Sequence, residues 1–318
     1  SSAASDVYKR QALESVLSIV LMVSTGYFLC RKKWLDQKVS KTFSKLVCNL
    51  AIPCLMISQF EENFNKDKLI TMAKGLYIPF VSMAICYVIA VIISKVIKVK
   101  KGRIGTFRSM FFVSNSIFIG LPVNMALFGT KSIPDVLLYY IANTAFFWTI
   151  GAYEISRDGQ DGTAKIFSVN TLKRIMSAPL ISFILAAVLV LLNIRLPKFL
   201  MDTCKYFGNL TTPLAMIFIG ITIYFVNFKE LKLGKDVLAI IVGRFFVCPV
   251  VMLLLCHGST VPMLMKNVFV IQAAMPVMTN TAIVSRSYNA DYKYATVNTV
   301  ITTIASLLVI PTYMLILN

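Results

Sequence analysis

Asn49-Leu50-Ala51-Ile52-Pro53 and Asn209-Leu210-Thr211-Thr212-Pro213 are one Asn-Leu-x-x-Pro word, repeated 160 positions apart, each time inside an apolar run. Each copy puts a helix breaker and a polar amide where an uninterrupted membrane helix accommodates neither. Paired defects at corresponding places in two halves of a chain point to a transporter assembled from internal repeats.

Hydrophobic residues fill 57% of the 318 positions and charged residues only 14%, with a mean hydropathy of +0.75. Soluble domains carry roughly 25% charge, so this chain lacks the polar groups to cover a watery surface. Its solvent is lipid. A run of about 20 apolar residues crosses a hydrocarbon core of about 30 Å. On that measure the sequence predicts ten spans, near 12–30, 44–60, 69–93, 107–129, 133–155, 178–194, 203–226, 236–256, 262–285 and 294–317. Residues 1–11 lack an initiating Met, resemble a non-native translated leader and are set aside.

The net charge of +18 is distributed as a topology signal. One set of alternating loops carries twenty-one basic residues, from Arg31, Lys32 and Lys33 through Lys98, Lys100, Lys101 and Arg103 to Arg286 and Lys293, and the other set carries nine. The excess marks the cytoplasmic face, which puts both termini outside and removes the need for a nucleic-acid partner. The seven cysteines show no ligand spacing and suit apolar packing. The Asn209-Leu-Thr211 sequon lies within a span and is discounted.

Five predicted spans precede the loop at 156–177 and five follow it, so the second half enters the membrane from the opposite side. The prolines agree with such an inverted duplication: Pro53 pairs with Pro213, Pro79 with Pro249 and Pro122 with Pro276, at offsets of 160, 170 and 154. The fold class expected is therefore an all-α integral membrane protein of ten transmembrane helices in two inverted five-helix repeats, 12–155 and 178–318.

Spans 4 and 9 look least like simple helices. Span 4 contains Ser114-Asn115-Ser116 and Gly120-Leu121-Pro122; span 9 contains Ala274-Met275-Pro276 and Thr279-Asn280-Thr281. Backbone groups freed by Pro122 and Pro276 must face protein, water or a solute. If both helices break near the midplane, Asn115, Ser116, Thr279 and Asn280 surround a small polar site into which helix ends project partial charge. The plainer alternative is that both prolines only kink continuous helices. Arg244, the most interior charge, either lines the inner vestibule, serves the structure or meets the solute directly.

All fourteen acidic residues fall in loops or near span ends, and the one histidine, His257, sits at the outer end of span 8. Neither a buried carboxylate pair nor a histidine relay is available for a cation exchanger. No phosphate loop or nucleophile–base pair supports an ATPase or another enzyme. No cofactor and no metal site is expected. Amides, hydroxyls, helix ends and one arginine suit a carboxylate-bearing solute.

The segments Asn115-Ser-Ile-Phe-Ile-Gly-Leu-Pro122 with Ala126-Leu-Phe-Gly129, Gly208-Asn-Leu-Thr-Thr-Pro-Leu-Ala215, Arg244-Phe-x-x-x-Pro249, Gln272-Ala-Ala-Met-Pro276 and Tyr288-Asn-Ala-Asp291 resemble the auxin efflux carrier family, which includes bacterial malate and malonate permease-like members. The likeness runs from about residue 13 to the end. It implies broken helices 4 and 9 crossing beside the substrate, with Asn115 at the carboxylate. It also implies a scaffold of helices 1, 2, 6 and 7, carrying Asn49, Pro53, Asn209 and Pro213, and an elevator-like moving domain of helices 3–5 and 8–10. The central loop of about 22 residues is far shorter than in the plant carriers, which places the chain with the bacterial members at a plasma membrane.

The expectation is a secondary transporter of a small organic anion, a mono- or dicarboxylate. Its partners are that anion and the lipid bilayer, and a homodimer stays open. The rivals are a sodium- or proton-coupled transporter of similar fold and a non-transporting membrane receptor.

Overall fold

A computed structural model describes residues 2–63, 65–159, 176–225 and 234–317. Among the described residues helices dominate, with one isolated β-bridge between Ser114 and Val277. The helices are apolar on all sides where they face both lipid and core, as in Tyr77–Val96, where Val88 and Ile92 are exposed while Met83, Cys86 and Ala90 are buried. Corners are set by polar residues. The Asp36 carboxylate accepts the N–H groups of Lys38 and Val39, both at 2.8 Å, and so starts the helix Gln37–Leu46.

The expected ten transmembrane helices in two inverted five-helix repeats are not found. Among the described residues six helical stretches are long and apolar enough to cross a membrane: Gln37–Glu62, Tyr77–Val96, Thr130–Asp158, Lys198–Tyr224, Lys235–His257 and Tyr292–Tyr313. The apolar runs predicted near 12–30, 107–129, 178–194 and 262–285 hold shorter apolar helices, Leu17–Arg31, Ser116–Phe128, Ala178–Leu191 and Met263–Ala273. Hydropathy counts apolar residues and is blind to where the backbone leaves the helix. At Val113 the chain turns extended (φ −97°, ψ 133°), and residues 274–279 lie between the helices Met263–Ala273 and Asn280–Ser287. Ala178–Leu191 is followed by Asn193 in the left-handed region (φ 57°). The five-plus-five count behind an inverted repeat falls with the ten spans. The paired prolines also have unlike backbones: Pro122 is helical, whereas Pro276 is in the connecting stretch. The loop expected at 156–177 lies outside the described residues from 160 to 175, as do Lys229 and Lys232.

Among the described residues four helical stretches contain a wide π turn: Val47–Ala51, Ser116–Gly120, Phe147–Gly151 and Gly243–Val247. Three of these are followed two residues later by a proline, Pro53, Pro122 and Pro249. Proline lacks an N–H and its ring collides with the carbonyl one turn back. Widening the preceding turn shifts that carbonyl aside and lets the helix continue. The break that the sequence placed at Pro122 therefore occurs upstream of it, at residues 113–115.

Two groups of helices pack tightly within themselves. In one, Ser2–Arg31 lies along Thr211–Tyr224, and Ile52–Asn63 lies along Ala178–Leu191 and Lys198–Asn209. Gly26 and Gly220 make the first contact possible: a Cβ on Gly26 would strike the Ile217 carbonyl, and one on Gly220 the carbonyl of Val23. In the other, Ile104–Phe112 packs on Ala152–Asp158 and Tyr77–Val96, and Asn280–Ser287 on Tyr292–Leu317.

Candidate functional site

The extended residues at 113–115 meet those at 276–277. Ser114 and Val277 form an antiparallel bridge, and the Asn115 N–H donates to the Pro276 carbonyl at 2.8 Å. Two chain breaks thus satisfy one another's backbone in the protein interior, where an unpaired group would cost about 1–3 kcal/mol.

Beside this bridge lies a cavity of about 230 Å³. Asn115, Ser116, Thr279 and Asn280 line it, and so does Asn49 from the π turn Val47–Ala51. Tyr140, Trp148, Phe118 and the helix start at Ser177, Ala178 and Pro179 complete the polar and aromatic part of the wall. None of the described lining residues is charged.

Hydrogen bonding fixes the polarity of this wall. The Asn115 Oδ1 accepts the Phe118 N–H at 3.2 Å, and Nδ2 donates to Thr279 Oγ1 at 2.8 Å. A backbone donor can only face the oxygen, so the amide orientation is determined. Ser116 Oγ likewise accepts from Asn143 Nδ2 at 3.2 Å. With those acceptors engaged, a second amide proton of Asn115 and the hydroxyl protons of Thr279 and Ser116 remain for the cavity. The first turns beginning at Ser116, Asn280 and Ala178 project partial positive charge, although the Phe118 and Thr281 N–H groups are already taken, by Asn115 Oδ1 and the Met278 carbonyl. At Asn115, Ser116 and Thr279 the wall therefore presents donors, while the Asn49 and Asn280 amides bring both donors and acceptors.

The remaining sequence candidates lie elsewhere. Arg244 is fully buried inside the π turn Gly243–Val247. It donates to the carbonyls of Met275 (3.0 and 2.8 Å), Ala273 (2.7 Å) and Phe111 (3.3 Å) and does not line the cavity. Phe111 and Ala273 are in the last turns of the two helices that stop at the breaks, Met275 lies just past the second, and the partial negative charge of these carbonyls faces the guanidinium. Pro122, inside the helix Leu121–Phe128, and Pro276, in the second break, do not line the cavity; Pro53, Asn209 and Pro213 are also outside it, with Asn209 and Pro213 exposed. The sequence reading missed Tyr140, whose Oη is 2.8 Å from Ser177 Oγ, as well as Trp148 and Asn143. Single polar residues in the apolar run 133–155 form no motif, so no signal there could have singled them out. Among the described residues no three His, Cys, Asp or Glu side chains gather as metal ligands.

Comparison with known proteins is consistent along the whole chain. Residues 11–314 match the family model described as "Membrane transport protein". An uncharacterized transporter of Methanocaldococcus jannaschii is 26% identical over 304 residues, covering 94% of this chain and 96% of the relative. An uncharacterized transporter of Methanothermobacter thermautotrophicus is 24% identical over 310 residues, covering 96% and 98%.

Proposed function

The chain belongs to the membrane transport protein family, is a multi-pass membrane transporter and not an enzyme, and from that premise we propose that its cargo is a small organic anion, a mono- or dicarboxylate. One observation carries this reading: the uncharged cavity wall at Asn115, Ser116 and Thr279 has its acceptors engaged internally and its donors left over. Donors and helix starts stabilise negative charge. A cavity of about 230 Å³ falls below the roughly 300–1,000 Å³ of drug-sized ligand sites, which favours a solute of a few carbons.

Movement follows an elevator scheme in this proposal. The helices between Tyr77 and Asp158 and between Lys235 and Leu317 shift against those built on residues 17–63 and 178–224. The cavity lies where the two groups meet. Phe118 from the first group stacks on Phe218 from the second, with centroids 5.1 Å apart, and Tyr140 meets Ser177. With the basic loops in the cytoplasm, both termini lie outside a plasma membrane.

The test is a thermal-shift and counterflow screen of mono- and dicarboxylates on the purified protein, repeated with Asn115→Ala. Stabilisation of the wild type by a carboxylate, reduced at least tenfold in apparent affinity by the substitution, is the expected result. A wild type that responds to no carboxylate, or a variant that responds equally, overturns the assignment. Uptake that requires sodium and improves with Asn115→Asp would favour a cation-coupled carrier instead.

A further inference from the structure

We propose that Asn143 is a positioning residue that makes Ser116 a hydrogen-bond donor to the solute and so sets the preference for anions; the inference rests on the carboxylate reading of the cavity. Asn143 lies on the helix Ile133–Phe146, is fully buried and does not line the cavity.

Its position follows from the bridge geometry. The Asn115 N–H to Pro276 bond shows that Ser114 and Val277 face each other as a pair that does not exchange hydrogen bonds. The N–H and C=O of Ser114 then point away from Val277, as on the open edge of a sheet. Asn143 covers that edge. Its Oδ1 accepts the Ser114 N–H at 2.9 Å, and its Nδ2 donates to the Ser114 carbonyl at 2.8 Å. A primary amide has the same donor and acceptor as a peptide unit, so Asn143 stands in for a third strand. Thr302 does the corresponding work on the other edge, its Oγ1 accepting the Val277 N–H at 3.2 Å. Both backbone partners fix which end of the Asn143 amide is nitrogen.

That orientation has a consequence one residue into the cavity. Nδ2 also donates to Ser116 Oγ at 3.2 Å. A hydroxyl that accepts there keeps its own proton for another partner, and Ser116 lines the cavity. An aspartate at 143 would reverse this: its ionised carboxylate only accepts, would draw the Ser116 proton inward and would leave oxygen lone pairs facing the solute. Asparagine at this position therefore favours a carboxylate over a neutral isostere.

The probes are malonate and its uncharged diamide, malonamide, titrated on the purified full chain. Asn143→Asp is expected to weaken malonate by about tenfold or more while malonamide changes by less than threefold, so that the ratio collapses. Ser116→Ala should lower the ratio too, and Asn143→Asp on that background should lower it no further, because the effect runs through one hydroxyl. Malonate binding with an unchanged ratio in Asn143→Asp, or additive effects in the double variant, overturns the role given to Asn143. Absence of malonate and other carboxylate binding in the wild type overturns the carboxylate reading itself.

Hydrogen exchange supplies an arm that needs no solute and survives poor folding of the Asp variant. Asn143→Leu should speed exchange in peptides covering residues 113–120 by at least tenfold and leave those in Tyr77–Val96 unchanged. Unchanged protection at 113–120 would show that Asn143 does not hold the break.

Discussion

Arg244 donates twice to the carbonyl oxygen of Met275, through Nε at 3.0 Å and Nη2 at 2.8 Å. The same guanidinium reaches Ala273 and Phe111, so one side chain holds the carboxyl ends of both interrupted helices. Fully buried, it has carbonyl dipoles around it in place of a carboxylate. Hydrogen bonds to a charged group contribute about 1.5–3 kcal/mol each. Arg244→Ala, which leaves the Ala273 and Met275 carbonyls without this donor while Phe111 keeps the Cys248 thiol at 3.3 Å, should lower unfolding free energy by about 3 kcal/mol or more. Lysine cannot reproduce the planar fork, so Arg244→Lys should recover only part. Thermal unfolding in detergent measures both. Lost carboxylate binding with an unchanged melting temperature would instead mark Arg244 as a solute contact.

Tyr140 Oη and Ser177 Oγ, 2.8 Å apart, join the two helix groups at the cavity rim. If the groups slide past one another, this bond breaks in every cycle. A hydrogen bond of about 0.5–1.5 kcal/mol net shifts a two-state population by roughly two- to tenfold. Tyr140→Phe should change counterflow rates by that factor with the solute affinity of each state preserved. The rate at which Asn280→Cys reacts with an impermeant maleimide should move in step. Identical rates in both assays would mean that this contact does not separate during transport.

The sequence revealed the lipid-solvated class and the special character of residues 114–116 and 276–281, because polar residues and prolines amid apolar runs are costly and therefore conspicuous. Asn115, Ser116, Thr279, Asn280 and Asn49 do meet at one cavity. Ten full spans were not there to be read: hydropathy registers Ile104–Phe112 and Ser116–Phe128 as one run, although the chain between them is extended. The position of the first break was misjudged because a π turn absorbs Pro122. Arg244 was conspicuous as a charge, yet its partners are carbonyls of residues 29–133 positions away, which no local pattern encodes. Asn143 and Tyr140 stayed hidden for the same reason.

Two glycines with opposite surroundings test the packing of the helix Ser2–Arg31. A Cβ on Gly220 would fall on the Val23 carbonyl and 2.8 Å from the Tyr27 nitrogen, both backbone atoms that cannot swing aside. Gly258 has nothing within 4 Å. Gly220→Ala should therefore separate the helices and lower unfolding free energy by about 1–3 kcal/mol, whereas Gly258→Ala should be neutral within about 0.5 kcal/mol. Equal melting temperatures for the two variants would show that this crossing relaxes without cost.

Glu154 and Arg108 provide the corresponding test for charge. The Arg108 Nη1 lies 3.2 and 3.1 Å from the two Glu154 oxygens, and its Nε donates to Ser94 Oγ at 3.0 Å. Tyr87 donates to the same carboxylate at 2.5 Å, so three helices meet at one acidic side chain. The pair is 13% and 5% exposed, which keeps salt from screening it. Removing the carboxylate strands a largely desolvated guanidinium, and Glu154→Ala should cost about 2–4 kcal/mol, little changed between low and high salt. Glu154→Gln retains an acceptor for Tyr87 and should cost less. The contrasting pair, Lys205 and Glu62, is closer, at 2.5 Å, but 43% and 40% exposed. Water competes there for both ions, so Glu62→Ala should leave the melting temperature essentially unchanged. Comparable losses for Glu154→Ala and Glu62→Ala would show that burial does not separate these pairs, and that the bundle end at Arg108 is open to solvent.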